Sequence, residues 1–156
     1  MRRGRKKEIT PHLEDYLVAI YEITKEKPQK QQVARVSQIA RKLGVSLPSV
    51  TNAMKRLSEL GYVDYERYNV IALTQKGLKR AMEKESIQAN FKDFFMNIMG
   101  LEKTTAEKLA RSFSHYIDDK IRERFDRFYE ILKNFSTENA KELEEFIKES
   151  RRLSEE

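Results

Sequence analysis

Residues 34–67 read ARVSQIARKLGVSLPSVTNAMKRLSELGYVDYER, and this stretch decides the fold. Ala40, Gly44 and Val50 have the spacing that lets two short helices cross. The small alanine permits close approach, the glycine can adopt the left-handed conformation that ends the first helix, and the valine anchors the second helix in the core. The segment after Gly61 is strand-like. We therefore predict a helix-turn-helix followed by a β-wing, an arrangement typical of proteins that bind DNA.

Capping residues place further helices on both sides of this motif. Thr10 is a suitable N-cap for a helix with Pro11 at its first position, and Ser46, Thr74 and Asp118 have the same capping role later in the chain. The pair Thr104 and Glu107 has capping-box spacing. The expected helices are 10–25, 37–43, 46–61, 75–99, 104–116, one that begins after residue 118, and one from about residue 138; the expected wing strands are 62–67 and 70–73, with Tyr68 and Asn69 at the turn.

These elements predict a mostly α-helical protein. We expect an N-terminal winged helix-turn-helix, with three helices and a two-stranded wing, followed by an all-helical dimerisation domain. The predicted ranges are a basic flexible arm at 1–9, the DNA-binding domain at 10–74 and the dimerisation domain at 75–156. All eight phenylalanines lie in the last range. They fit either one ordinary core or a core plus a dimer interface, and we favour the second because helix-turn-helix proteins usually read two half-sites as two-fold dimers.

The charge of the chain is unevenly distributed. Residues 1–80 hold 17 Lys and Arg against 8 Asp and Glu, whereas residues 81–156 hold 14 against 17. The basic half contains the helix-turn-helix, which favours a polyanionic partner for that half.

Cysteine is absent, so disulfides and thiolate metal sites are excluded. The longest apolar run has six residues, far too few for a membrane span, and we expect a cytoplasmic protein.

The outer face of the second motif helix supplies the candidate DNA contacts. Ser, Thr and Asn side chains can bond base edges or phosphates, a proline can pack on a thymine methyl group, and cations farther along the helix meet phosphates. The basic arm is either a solubilising tail or a further phosphate or minor-groove contact. The candidate residues are Ser46, Pro48, Ser49, Thr51, Asn52, Lys55 and Arg56, together with Arg67 of the wing.

Four segments of the sequence resemble the DtxR/MntR family of iron- and manganese-dependent repressors. They are EDYLVAIYEI at 14–23, the stretch 34–66, ALTQKG at 72–77 and SHYIDDKIRERF at 114–125. The resemblance covers about residues 10–135. It implies a winged helix, a helical dimerisation domain and a homodimeric repressor on a palindromic operator.

The resemblance also implies six metal-ligand positions, of which this chain retains Asp15 and His115. The other four are occupied by Val18, Gln88 (or its neighbour Ala89), Arg111 and Ser114. Valine cannot ligate a metal, and arginine brings a positive charge into the site. Two protein ligands are too few for tight binding of a transition metal, so we expect metal dependence to be weak or lost.

His12 offers an alternative to the lost ligands. It lies one turn before Asp15, so His12, Asp15 and His115 could form a relocated site for manganese, iron or zinc. The simpler interpretation is a surface His12 and a hydrogen-bonded His115.

Several functional interpretations remain open. The favoured one is a sequence-specific transcriptional regulator, and its variant is a regulator gated by a metal at the relocated site or by a small molecule. A winged-helix module that binds only proteins would not need a polar, capped recognition helix in a basic half. An enzyme is disfavoured because the sequence has neither a phosphate-cradling glycine loop nor a catalytic triad or carboxylate pair.

Overall fold

The structure of the chain is a computed structural model that describes residues 9–28, 32–66 and 70–152. It is mostly helical, with a small antiparallel sheet, as the sequence predicts. The elements are α1 (Pro11–Thr24), β1 (Ala34–Arg35), α2 (Val36–Leu43), α3 (Leu47–Glu59), β2 (Val63–Glu66), β3 (Val70–Leu73), α4 (Gln75–Asn97), α5 (Lys103–Ser114), α6 (Asp119–Glu138) and α7 (Ala140–Arg152).

The sheet has one strand more than the two-stranded wing that we expected. β1 pairs with β3, which pairs with β2, and both pairings are antiparallel. The additional strand, β1, has only two residues, which are too few to give a periodic signal in the sequence. The predicted wing turn at Tyr68 and Asn69, Arg67 and residues 1–8 of the predicted arm lie outside the described residues.

The capping-box prediction for α5 is wrong. This helix begins at Lys103 with Glu102 at the N-cap position, and no side chain caps it. Ala106 and Ala110 are buried at 0% and 2% exposure, so this face of the helix packs in the core of the second unit. The capping roles predicted for Thr10, Ser46, Thr74 and Asp118 are confirmed by hydrogen bonds from backbone N–H groups to their side-chain oxygens.

The chain divides into two compact units, Met1–Glu85 and Ser86–Glu156. The division falls inside α4, and the domain ranges given above stay a prediction. The core of the first unit joins α1, α2, α3 and the sheet. Its largest fully buried side chains are Leu17, Ile20, Ile39, Val50, Met54, Leu57, Val63 and Ile71.

The second unit has an aromatic core. Phe91 and Phe95 are buried, and the ring of Phe91 stacks on that of Phe125 with centroids 3.9 Å apart. The hydroxyl of buried Tyr129 donates a hydrogen bond of 2.8 Å to Asp93. Burial raises the pKa of Tyr129, and the hydrogen bond to Asp93 raises it further, so the phenol stays neutral. Among the described residues, no helix has the length and apolar character needed to cross a membrane.

An ion cluster around the buried Glu14 ties α1 to the beginning of α4. The carboxylate of Glu14 is 4% exposed and accepts hydrogen bonds from Arg80, whose Nε lies at 2.6 Å. Lys84, 7% exposed, places its Nζ 3.2 Å from the other oxygen of Glu14. Because removing one member of a buried pair leaves the others uncompensated, this cluster fixes the two helices against each other.

A second set of contacts ties the end of α3 to the beginning of α4. Thr74 donates its hydroxyl proton to the carbonyl of Gly61 at 2.8 Å, and Lys76 Nζ donates to the carbonyl of Leu60 at 2.8 Å. Gly77 lies so close to Tyr62 that an added Cβ would stand 1.9 Å from its carbonyl oxygen. Only glycine fits there without a shift of the backbone.

We expect Gly77→Ala to destabilise the protein by about 1–3 kcal/mol, the usual cost of overpacking. The clash involves a backbone carbonyl, which cannot rotate away as a side chain does. The higher helix propensity of alanine, about 1 kcal/mol, offsets part of this cost. Chemical denaturation measures the change, with Lys79→Ala on an exposed position of α4 as the control. A Gly77→Ala protein as stable as the wild type would show that Gly77 and the carbonyl oxygen of Tyr62 are not in such close contact.

Candidate DNA-binding surface

The two motif helices meet at a tight turn, as the spacing predicted. Gly44 ends α2 with φ of +67°, and Ala40 is 8% exposed at the crossing. Ser46 then caps α3, because its Oγ accepts a 3.3 Å hydrogen bond from the backbone N–H of Ser49. Pro48 lies in the first turn, where its missing N–H costs nothing. The turn therefore fixes where α3 begins.

Burial of one edge of α3 leaves the opposite face to solvent. Val50, Met54 and Leu57 are all 0% exposed. The residues predicted to contact DNA at the start of the helix, Ser46, Pro48 and Ser49, are exposed, and so are Asn52 and Lys55. Within the described residues, the side chains of Asn52 and Lys55 make no hydrogen bond or ion pair.

Three predicted contact residues already have partners in the chain. The Oγ atoms of Ser46 and Ser49 lie 2.8 Å apart and share a hydrogen bond. Thr51 is half-buried and donates its hydroxyl proton to the carbonyl of Leu47 at 3.1 Å. These hydroxyl oxygens keep lone pairs for a further donor, such as an adenine or cytosine amino group.

Arg56 forms an ion pair with Glu59 at 3.0 Å. Both side chains are about half exposed, so the pair contributes at most about 1 kcal/mol and can give way to a phosphate. Lys55 has no ion pair within the described residues that a phosphate would have to replace. The role of Arg56 in DNA binding, like those of the other candidate residues, stays a prediction.

The electrostatics of this face favour an anion. No acidic residue occurs between Ser46 and Ser58, and α3 has none in its first turn. A capped helix with polar and cationic residues on its free face is suited to enter the major groove.

Four of the six positions that the resemblance assigns to metal ligands carry side chains of other chemistry. Val18 is buried and apolar, and Arg111 is exposed. Ser114 donates its hydroxyl proton to the carbonyl of Arg111 at 2.7 Å and accepts a 3.2 Å hydrogen bond from the amide of Gln88.

His12 is exposed on α1, Asp15 is 9% exposed on the same helix, and His115 is half-buried at the end of α5. The relocated set of His12, Asp15 and His115 combines residues of both units and stays a prediction.

Comparison with known proteins places this arrangement in a family. Residues 8–71 match the model of the iron dependent repressor, N-terminal DNA binding domain. An HTH-type transcriptional regulator of Methanocaldococcus jannaschii is 35% identical over 122 residues, which cover 78% of this chain and 95% of that protein. The chain belongs to the DtxR/MntR family. It is a DNA-binding transcriptional regulator of that type, and the resemblance noted in the sequence is confirmed.

Further relatives agree with this assignment. The regulator MntR of Oceanobacillus iheyensis is 31% identical, with 90% of this chain and 92% of that protein covered. The solved structure of the manganese regulator SloR superimposes with a TM-score of 0.65 at 29% identity, covering 77% of this chain. The IdeR structure from T. acidophilum, at 23% identity and a TM-score of 0.61, supports the fold. The chain spans about half the length of these two solved chains.

Asn52 and Lys55 should respond differently to truncation. Lys55→Ala should weaken binding to every duplex and lower the log–log salt slope by about 0.9, the contribution of one phosphate contact. Asn52→Ala should instead relax the preference at one base position, by roughly 1–3 kcal/mol if the amide makes a bidentate pair. Salt titrations on a duplex selected by the protein from a random library measure both effects.

Lys108→Ala, at an exposed position of α5, removes the same charge from the second unit and serves as the control. Equal losses on specific and random DNA for Asn52→Ala would show that the base-reading face has been placed wrongly.

Proposed function

We propose that this regulator binds a palindromic operator as a homodimer, represses transcription there, and does not depend on a tightly bound metal. The face of α3 supports the first part most directly, because its exposed Asn52 and Lys55 stand on a helix whose register is fixed by buried residues. Family membership favours this function over a module that binds only proteins. We retain the predictions that the protein is not an enzyme and acts in the cytoplasm.

An exposed apolar stripe on α6 supports dimerisation. Ile121, Phe128, Ile131 and Phe135 recur at spacings of seven, three and four, and are 49%, 52%, 68% and 49% exposed. Phe128, Ile131 and Phe135 are neighbours at three and four residues along one face of the helix, and clustered exposed apolar side chains of this kind mark an interaction site. Two of the eight phenylalanines, Phe128 and Phe135, lie on this stripe, and a second copy of the chain is the partner that a two-fold operator requires.

Ile131→Glu should therefore shift the protein from dimer to monomer without unfolding it. A carboxylate buried at an interface lacks a partner, whereas at a 68% exposed position of a monomer it meets water. Sedimentation at micromolar concentration measures the change. Thr137→Glu adds the same charge at an exposed position of α6 that is not three or four residues from any member of the stripe, and it should leave the dimer intact. A wild-type chain that sediments as a monomer, with and without DNA, would contradict the proposal.

Of the family's six ligand positions, only Asp15 and His115 keep a metal-binding side chain, and the four replaced positions supply no suitable donor set. Ser114 and Gln88 bond each other, Val18 has no donor atom, and Arg111 is cationic. Transition metals need three or four nitrogen, carboxylate or thiolate ligands in a closed or nearly closed set. This disagreement supports regulation without metal at that site. The alternatives are a metal at the relocated set or another small-molecule ligand.

Operator binding should be equally tight in chelator and in added manganese, iron or zinc. A gel-shift assay measures the affinity under each condition, on the DNA upstream of the protein's own gene or on a library-selected duplex. An increase in affinity of tenfold or more, about 1.4 kcal/mol of coupling, would contradict metal independence. If His12→Gln abolished that increase, the relocated site of His12, Asp15 and His115 would be the explanation.

A further inference from the structure

Leu47 is an exposed apolar residue at the beginning of α3. Its side chain is 53% exposed, more than any other large apolar side chain described in the first unit, where Met82 follows at 49%. Single exposed leucines are common on protein surfaces, so exposure alone assigns no role. The position of this leucine is what distinguishes it.

Leu47 occupies the first helical position, between the capping Ser46 and Pro48. The N-terminal residues of a recognition helix are those that contact base edges in the major groove. Its carbonyl accepts a hydrogen bond from Thr51, so the backbone at this residue is held in place. Ser46 and Ser49 bond each other through their hydroxyls, which leaves Leu47 and Pro48 as the apolar part of the first turn.

The chemistry of leucine restricts what it can recognise. Its side chain has neither donor nor acceptor, so it cannot pair with the polar groups of a base. The C5 methyl of thymine is the apolar group that bases present in the major groove. We propose that Leu47 is a specificity-determining residue that packs on a thymine methyl of each operator half-site. The inference rests on the proposed operator binding and adds the identity of one recognised base.

Uracil provides a direct probe, because it pairs like thymine and lacks only this methyl group. The full-length protein first selects a duplex from a random library. Each thymine of a half-site is then replaced by deoxyuridine, one at a time, and affinity is measured for the wild type and for Leu47→Ala. Leu47→Met retains an apolar side chain of similar reach, and Leu78→Ala, at a 39% exposed leucine on α4, is the matched control.

We expect one position of the half-site at which uracil weakens wild-type binding about fourfold, the effect of one buried methyl group. Leu47→Ala should bind the thymine duplex more weakly and lose that penalty, whereas Leu47→Met and Leu78→Ala should keep it. Penalties at other thymines, including any due to Pro48, should persist in Leu47→Ala. Circular dichroism verifies that each variant is folded.

Two results would overturn the inference, and they are distinguishable. If the protein selects a sequence but no uracil penalty depends on Leu47, the operator function stands and the role of Leu47 is wrong. If no sequence is enriched from the library, the operator function itself fails, and the inference fails with it.

Discussion

The buried edge of α3 is the constraint on which the DNA-binding face depends. Val50, Met54 and Leu57 have no exposed surface, so the helix cannot rotate about its axis without bringing apolar side chains into water. The same packing turns Asn52 and Lys55 outward. Gly44 and Ser46 set the position of the helix along its axis, because one ends α2 and the other caps α3. The proposed DNA-contacting face is thus a consequence of core packing and two turn residues.

The contacts at the beginning of α4 extend this constraint to the next helix. Thr74 and Gly77 pack on the turn that follows α3, while Arg80 and Lys84 pair with buried Glu14 of α1. Movement of this part of α4 away from α3 would break the hydrogen bonds that Thr74 and Lys76 make to the turn. Movement away from α1 would leave the buried carboxylate of Glu14 without its partners, which is costly. These contacts link the beginning of α4 to the end of α3 through residues of the chain itself. In this chain, the Gln88 and Ser114 pair stands where the resemblance places ligands.

Local signals in the sequence predicted the fold well, whereas contacts between distant residues could not be predicted. The left-handed Gly44 and the four capping side chains depend on neighbours within a few residues. The strand Ala34–Arg35 depends on pairing with β3, and the burial of Glu14 depends on Arg80, 66 residues away. Leu47 shows the limit of periodicity. Its spacing to Val50 and Met54 fits the buried edge, yet it lies beyond the end of the core and is exposed.

The central claim is that the chain meets DNA through the free face of α3. Hydrogen–deuterium exchange of the full-length protein, with and without a library-selected duplex, tests this claim most directly. We expect the added protection to concentrate in peptides that cover residues 44–58, with a smaller effect in β2 and β3. Protection confined to residues 86–152, with none in 44–58, would contradict the account.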